Sequence, residues 1–130
     1  MVQMQSRNYV DVEIDAGWKQ FLQKKVNSFI KWDLVRFFHD NPHTADTAES
    51  IAQYVGRDVK TVRREMDGLV KAKVLDSEVI AGEQIYRLAQ AEDTRQLIEE
   101  FVLACHNREF RVKAINHVIK GMGFTPRHDF

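Results

Sequence analysis

A short stretch of the sequence collects basic and hydroxyl side chains of the kinds that contact nucleic acids. Residues 57–73 hold six basic and three acidic side chains, a local formal charge of +3 in a chain whose total is zero. The rest of the chain therefore sums to −3. Arginine can pair with guanine, threonine can contact a base or a thymine methyl group, and lysine binds phosphates. Such a local surplus is the electrostatic footprint of a small DNA-binding protein.

A helical period over residues 59–72 predicts which of these side chains face solvent. Valine, methionine and leucine recur there every three or four positions and predict the buried side of a helix that Asp58 caps. In a helix-turn-helix, the N-terminal part of the second helix enters the major groove, so we expect its first two turns to reach base edges. These turns carry Lys60, Thr61, Arg63 and Arg64, while Lys71 and Lys73 lie further along, where phosphates are the expected contacts.

Further elements must position this helix. Residues 48–55 predict a short helix with Thr47 as its N-cap, and Gly56 supplies the left-handed backbone of a tight turn. Residues 75–80 and 84–88 have β-strand patterns and are separated by three residues that include a glycine, which predicts a hairpin. The second helix therefore lies between a tight turn and a hairpin.

The order helix, short helix, glycine turn, longer helix and hairpin resembles that of the winged-helix repressors, especially the ArsR-like and MarR-like bacterial regulators. The resemblance covers residues 29–88. It implies a mainly helical fold with a small β-hairpin, in which a winged helix-turn-helix domain over residues 29–90 binds double-stranded DNA. The segments that carry the resemblance are residues 50–56, 58–66, 69–75 and 85–88.

Two positions depart from the pattern of that family. The wing tip, Ala81-Gly82-Glu83, lacks the basic residue with which family members usually grip the flanking groove, and Glu78 and Glu83 repel phosphate. Arg87 is therefore the expected side-chain contact of the wing. Lys73 replaces the glycine that typically ends the recognition helix, and we expect it in the left-handed conformation. The candidate DNA-contacting residues are Arg57, Lys60, Thr61, Arg63, Arg64, Lys71, Lys73 and Arg87.

Residues 1–28 predict an N-terminal extension of this domain. Residues 9–14 alternate apolar with other residues, which is typical of a short strand. An apolar stripe from residue 18 to residue 38 then has a helical period. It predicts either one long helix or two helices with a break at Asn27-Ser28, since both residues are good helix caps.

Residues 91–130 predict C-terminal helices. Residues 93–96 have the pattern of a capping box, with aspartate in the leading position, and open a helix with one apolar face. Lys120-Gly121 is a suitable helix end, and we expect residues 125–130 to be a mobile tail.

The flanking helices carry more large apolar side chains than a winged core can bury. A second subunit would supply partners for them, and two-fold pairing would double the contacts on a palindromic DNA site. We therefore expect a homodimer, with residues 91–130 as a candidate for its interface. The alternative is that both flanks fold back on their own domain. The side chains concerned are Phe21, Phe29, Phe37, Phe101 and Phe110.

Other function classes find little support in the sequence. The composition, 44% hydrophobic and 29% charged, is that of an ordinary soluble protein, and we expect a cytoplasmic one without a membrane span. Cys105 cannot form an internal disulfide, and we expect it to be a buried apolar residue. His106 and His117 match the spacing of one metal-sensor group, but Ala104 and Lys120 occupy its other ligand positions. We expect no metal site, no cofactor and no enzymatic activity; an effector ligand remains open.

The sequence thus predicts a sequence-specific transcriptional regulator that binds DNA as a homodimer. This hypothesis requires the arginines near the start of the second helix to be presented outward and free. Arginines held in ion pairs would favour the alternative, a winged helix that docks a protein partner in a larger assembly. Zero net charge and an acidic wing also favour that alternative.

Overall fold

The computed structural model describes residues 14–123, which form six helices and one three-stranded antiparallel sheet. Most of residues 9–14, the expected N-terminal strand, and all of the expected mobile tail lie outside the described residues. The chain is mainly helical with a small sheet, as the sequence predicted. The elements are α1 (Ala16–Lys24), α2 (Phe29–Asp40), β1 (Ala45–Asp46), α3 (Ala48–Val55), α4 (Val59–Lys71), β2 (Leu75–Ile80), β3 (Glu83–Leu88), α5 (Glu92–Ala104) and α6 (Arg108–Gly121).

The N-terminal apolar stripe is divided between two helices, α1 and α2. Ser28 caps α2 because its hydroxyl accepts a hydrogen bond from the Lys31 backbone N–H at 3.1 Å. The Asn27 side chain accepts a bond from the Lys31 ammonium at 2.8 Å and fixes the same corner. Of the two alternatives left by the sequence, a break at these two residues is the one observed.

Side-chain caps and a left-handed glycine form the corner between α3 and α4. Thr47 accepts a hydrogen bond from the Ser50 N–H at 3.2 Å, and Asp58 accepts one from the Thr61 N–H at 3.0 Å. Gly56 has φ 71°, a conformation that L side chains rarely adopt. The predicted caps and turn are confirmed.

The sheet has the strand order β1-β3-β2, with β2 and β3 joined as a hairpin. Leu75 pairs with Leu88 and Ile80 pairs with Glu83, so the connecting loop has two residues instead of the expected three. Both loop residues, Ala81 and Gly82, have positive φ, as a tight hairpin turn requires. The two-residue strand β1 was not expected, because two residues are too few to show an alternating pattern.

The expected capping box at the start of α5 is wrong. The helix begins one residue earlier, at Glu92, and its N-cap Ala91 makes no side-chain hydrogen bond. Glu92 and Asp93 both lie in the first turn, where their negative charges interact favourably with the positive end of the helix dipole. The Asp93 carboxylate accepts a hydrogen bond from the neighbouring Thr94 N–H at 2.8 Å instead of serving as the cap. The other end of this segment agrees with prediction, since α6 ends at Gly121.

An aromatic cluster joins the flanking helices to the rest of the core. Phe101 on α5 is fully buried, with its ring centroid 4.9 Å from that of Phe21 on α1 and 5.2 Å from that of Trp32 on α2. Trp18 completes the cluster, 5.7 Å from Phe110 on α6. Both flanks therefore fold back on their own domain, which is the alternative that the sequence left open, and Phe21, Phe101 and Phe110 have partners within one chain.

The lone cysteine, Cys105, lies in the core. Cys105 is 9% exposed, as expected for an apolar residue, and burial raises the pKa of its thiol to about 11. No helix within residues 14–123 has the length and apolar character needed to cross a bilayer.

Candidate nucleic-acid interface

Helix α4 lies against α2, α3 and β2 and leaves one long side in solvent. Its core side is formed by Val62, Met66 and Leu69, all 0% exposed, with Val59 and Val70 half-buried beside them. This is the buried side that the sequence predicted. Three residues, 56–58, connect α3 to α4, which is the length typical of a helix-turn-helix corner.

Polar contacts fix α4 to the neighbouring elements from two sides. The Tyr86 hydroxyl on β3 donates a hydrogen bond to the Asp67 carboxylate at 2.7 Å. The Ser28 hydroxyl donates to the Glu65 carboxylate at 2.7 Å from the side of α2. The Lys25 ammonium donates to the Ala72 carbonyl at 2.7 Å and so binds the negative end of the helix. Sequence reasoning missed all three tethers, because no spacing rule links residues so far apart in the chain.

A glycine of α4, Gly68, faces the end of the Lys31 side chain of α2. A Cβ atom at Gly68 would lie 2.9 Å from the Cε and Nζ atoms of Lys31, closer than carbon atoms normally come. Gly68 therefore makes room for the Lys31 side chain, which is also held by Asn27. In the sequence this glycine is only a residue of low helix propensity within a predicted helix, and nothing else there indicates its role.

The acidic side chains of this region have structural partners. Asp58 caps the helix, Glu65 accepts from Ser28, and Asp67 accepts from Tyr86. Burial and the hydrogen bond to Asp67 raise the pKa of Tyr86 to about 12, which keeps this hydroxyl protonated as the donor. The two acidic residues within α4, Glu65 and Asp67, are thus bonded to neighbouring elements, while Asp58 caps the helix itself.

Basic side chains occupy the solvent side of α4 and its exit. Lys60, Arg64, Lys71 and Lys73 are all exposed, and the Arg64 side chain is 70% exposed. The Arg64 Nε atom lies 3.3 Å from a Glu65 oxygen, a long contact. Among residues 14–123, no acidic group forms an ion pair with any of the three lysines. Lys73 has φ 66°, so its predicted left-handed conformation is confirmed.

Ion pairs hold other arginines of the predicted site. Arg57 contacts Asp33 of α2 at 2.5 Å, and Arg63 contacts Glu49 of α3. The expectation that these arginines are free is wrong, because α2 and α3 bring acidic side chains that are distant in sequence. When Asp33 and Glu49 are counted with residues 57–73, the local surplus falls from +3 to +1.

These ion pairs lie at the surface, and their side chains are 40% to 65% exposed. Exposed pairs contribute only about 0–1 kcal/mol each. The pKa of Glu49 lies below its ordinary value, because the carboxylate accepts a hydrogen bond from its own backbone and another from Arg63. Arg57 can therefore exchange Asp33 for another partner at small cost, while the lowered pKa keeps Glu49 ionised as the partner of Arg63.

Thr61 and Arg87 are less available than the sequence suggested. The Thr61 hydroxyl lies 3.2 Å from the Asp58 carboxylate, to which it donates, so it belongs to the cap of α4. Arg87 on β3 contacts Glu78 of β2 at 3.0 Å across the hairpin. Of the eight predicted residues, four basic ones on α4 and at its exit face solvent. Three others, Arg57, Arg63 and Arg87, are paired with acidic side chains, and Thr61 belongs to the cap.

The hairpin tip has an apolar character that sequence reasoning did not recognise. Val79 is 68% exposed and Ile80 is 47% exposed, and acidic Glu78 and Glu83 stand beside them. The sequence does contain an indication of this tip, namely two consecutive apolar residues at the far end of a hairpin. Consecutive strand residues point to opposite faces, and the core cannot cover both faces there.

The part of the chain that the structure describes contains no group of three or more histidine, cysteine or acidic side chains placed to hold a metal ion. The basic side of α4 is suited chemically to a polyanion. Comparisons with protein-family models, curated proteins and solved structures found no match for this chain.

Proposed function

We propose that this protein is a sequence-specific, DNA-binding transcriptional regulator whose winged helix-turn-helix spans residues 29–90. The order of α2, β1, α3, α4 and the β2–β3 hairpin supports this assignment. In it, α3 and α4 form the helix-turn-helix and the hairpin is the wing. The observation that carries the proposal is the row of basic side chains on the solvent side of α4, directly after a three-residue turn.

The spacing of that row suits the dimensions of duplex DNA. Lys60, Arg64 and Lys71 are separated by four and seven residues, so they share one helix face. At 1.5 Å per residue, Lys60 and Arg64 are about 6 Å apart along the axis, and Lys71 is about 16 Å from Lys60. The major groove is about 12 Å wide. The first two therefore reach base edges, while Lys71 and the nearby Lys73 contact phosphates.

The paired arginines are second contacts in this proposal. Arg57 lies at the turn before α4 and Arg87 lies on the wing, and both can leave their acids for phosphates. Because each exposed pair contributes only about 0–1 kcal/mol, the exchange does not prevent binding. The acids remain close by, however, and we expect weaker nonspecific binding than six free cations would give.

The proposed regulator acts as a homodimer through α5 and α6. Exposed Val112 and Ile115 on α6 and exposed Met122 at its C-cap form an apolar row, and exposed Leu103 lies near the end of α5. Helix α5 has four acidic residues and one basic residue, whereas α6 has four basic residues and one acidic residue. Because a two-fold axis places the same patch of both subunits in contact, acidic α5 of one copy can face basic α6 of the other. Charge complementarity therefore favours a second copy of this chain as the occupant of the apolar row.

Selection from a pool of random duplexes, followed by fluorescence anisotropy, tests the proposal. We expect Arg64→Ala to weaken binding to the selected duplex by about 1–3 kcal/mol if this arginine pairs with a base. Arg36→Ala is the matched control, since Arg36 is an exposed arginine on α2 that neighbours Cys105 at the end of α5. Equal affinities of the two variants would remove α4 from the interface, and failure to select any duplex would refute the proposed function.

A protein-interaction module is the second candidate function. The observation in its favour is the exposed apolar tip of the hairpin, Val79 and Ile80, with Glu78 and Glu83 beside it. The ion pairs of Arg57 and Arg63 also favour it, because they reduce the positive surplus. A partner for this tip would offer an apolar pocket with a basic rim.

Pull-down at physiological salt distinguishes the two candidates. The interaction module predicts a stoichiometric protein partner that is lost with Val79→Ser and retained with Arg64→Ala, without DNA in the bound fraction. The DNA-binding regulator predicts the reverse dependence on the two substitutions, with nucleic acid in the bound fraction.

A further inference from the structure

One ion pair lies inside the proposed DNA interface and connects its two helices. Arg63 is on the second turn of α4, and Glu49 is in the first turn of α3. The Nη2 group of Arg63 donates a hydrogen bond to the Glu49 carboxylate, and the two side chains are 43% and 65% exposed. The pair therefore stands at the surface, with part of the guanidinium open to solvent.

Arg63 has further neighbours on the side of the sheet. Tyr86 on β3 is close enough to interact electrostatically with both Arg63 and Glu49, and its hydroxyl is held by Asp67. Arg63 thus lies between an acid on α3 and a tethered residue of the sheet, whereas Arg64, its neighbour in sequence, is 70% exposed. Arg63 is held by an acid of another helix, whereas Arg64 makes only a long contact with its sequence neighbour Glu65.

We propose that Glu49 is a specificity-determining residue, which orients the Arg63 guanidinium so that its remaining N–H groups read one base pair. This inference rests on the DNA-binding function proposed above. A guanidinium has five N–H donors in a fixed fork, so a carboxylate that accepts from one Nη group leaves donors for the O6 and N7 atoms of guanine. Holding a long side chain in advance reduces the entropy lost on binding.

Glu49 has a second, opposite effect on DNA. Its charge lies at the surface beside α4 and repels phosphates that approach there. Removal of this charge should strengthen binding to any duplex, while loss of the oriented Arg63 should weaken discrimination between duplexes. These two changes of opposite sign distinguish an orienting acid from one that only repels DNA.

Glu49→Gln is the test, with Asp33→Asn as the matched control. Each substitution removes one carboxylate charge from an exposed pair with an arginine, and the Arg57–Asp33 pair is outside α4. The affinity of each variant is measured for a duplex selected by the wild-type protein and for a scrambled duplex of the same length. Thermal unfolding of both variants checks that the fold is retained.

We expect Glu49→Gln to reduce the ratio of specific to nonspecific affinity by about tenfold. The neutral amide accepts a weaker hydrogen bond than the carboxylate and holds the guanidinium less firmly, and a bidentate base contact carries about one to two orders of magnitude of discrimination. Its affinity for the scrambled duplex should rise at the same time. Asp33→Asn should raise both affinities and leave the ratio unchanged. A repeated selection with Glu49→Gln should yield a motif that has lost preference at one base pair in each half-site.

Equal ratios for Glu49→Gln and the wild-type protein would overturn this inference and leave the DNA-binding function in place. So would an equal fall of the ratio in Asp33→Asn, because the effect would then be one of charge alone. Absence of binding by the wild-type protein to any duplex would overturn both proposals.

Discussion

The hydrogen bond between Tyr86 and Asp67 joins the wing to the proposed recognition helix, and its removal by Tyr86→Phe should lower stability. Tyr86 is 1% exposed and its hydroxyl lies 2.7 Å from the Asp67 carboxylate. Hydrogen bonds to charged groups contribute about 1.5–3 kcal/mol, but the Asp67 side chain is exposed and regains water when the hydroxyl is lost. We therefore expect the free energy of unfolding to fall by about 1–2 kcal/mol.

Urea denaturation of single and double variants measures this contribution. Asp67→Ala should cost more than Tyr86→Phe, because it leaves a buried hydroxyl without an acceptor. The double variant gives the coupling energy of the pair, which should be about 1–2 kcal/mol. Tyr54→Phe is the matched control, since Tyr54 is 66% exposed and its hydroxyl has no structural role in the fold described above.

The same pair predicts a dependence of stability on alkaline pH. The pKa of Tyr86 is raised from 10.0 to about 12 by burial and by the bond to Asp67. A raised pKa in the folded state means that this contribution is fully present below pH 10 and is lost as the pH rises towards 12. The wild-type protein should show this loss and Tyr86→Phe should not. Unchanged stability of Tyr86→Phe, together with identical alkaline titrations, would refute the tether.

Three further predictions concern the core, a histidine and the dimer. Phe101→Ala should lower the free energy of unfolding by about 3–5 kcal/mol in urea, because Phe101 is fully buried in the aromatic cluster. Val79→Ala, at a side chain that is 68% exposed and outside the proposed dimer interface, should change it little. Burial opposes protonation of His39, but the hydrogen bonds and charges of Asp40 and Glu99 outweigh it and raise the pKa of this side chain above 6.5. The stability that protonated His39 contributes should therefore be complete below pH 6.5 and be lost as the pH rises through the folded-state pKa. A pH series of melting temperatures should show this loss in the wild-type protein and not in His39→Gln. Ile115→Asp should shift the sedimentation coefficient from that of a dimer to that of a monomer, without loss of the helical signal in circular dichroism. A wild-type protein that is monomeric at all concentrations would contradict the proposed α5–α6 interface.

Local signals in the sequence were sufficient for the framework of the site. Thr47, Gly56 and Asp58 were predicted as cap, turn and cap because each acts on backbone groups within three residues of itself. The buried side of α4 followed from its helical period for the same reason. The wrong capping box at Asp93 shows the limit of such signals, since two acidic residues in sequence compete for the same end of a helix.

The side-chain environment of the site could not be predicted from the sequence. Glu49 reaches Arg63 from another helix, and Asp33 reaches Arg57 across 24 residues of chain. Such pairs depend on how helices pack, and no periodic pattern encodes them. The partners of the flanking phenylalanines could not be assigned for the same reason, since only helix packing brings Phe21 and Phe101 together within one chain.

The salt dependence of DNA binding tests the central claim most directly. For a duplex selected by the wild-type protein, the logarithm of the binding constant should fall linearly with the logarithm of salt concentration, by about 0.9 for each phosphate neutralised. Lys71→Ala should reduce the size of that slope by about 0.9 per subunit and weaken selected and scrambled duplexes equally. A wild-type slope near zero, or a slope that Lys71→Ala leaves unchanged, would contradict the account.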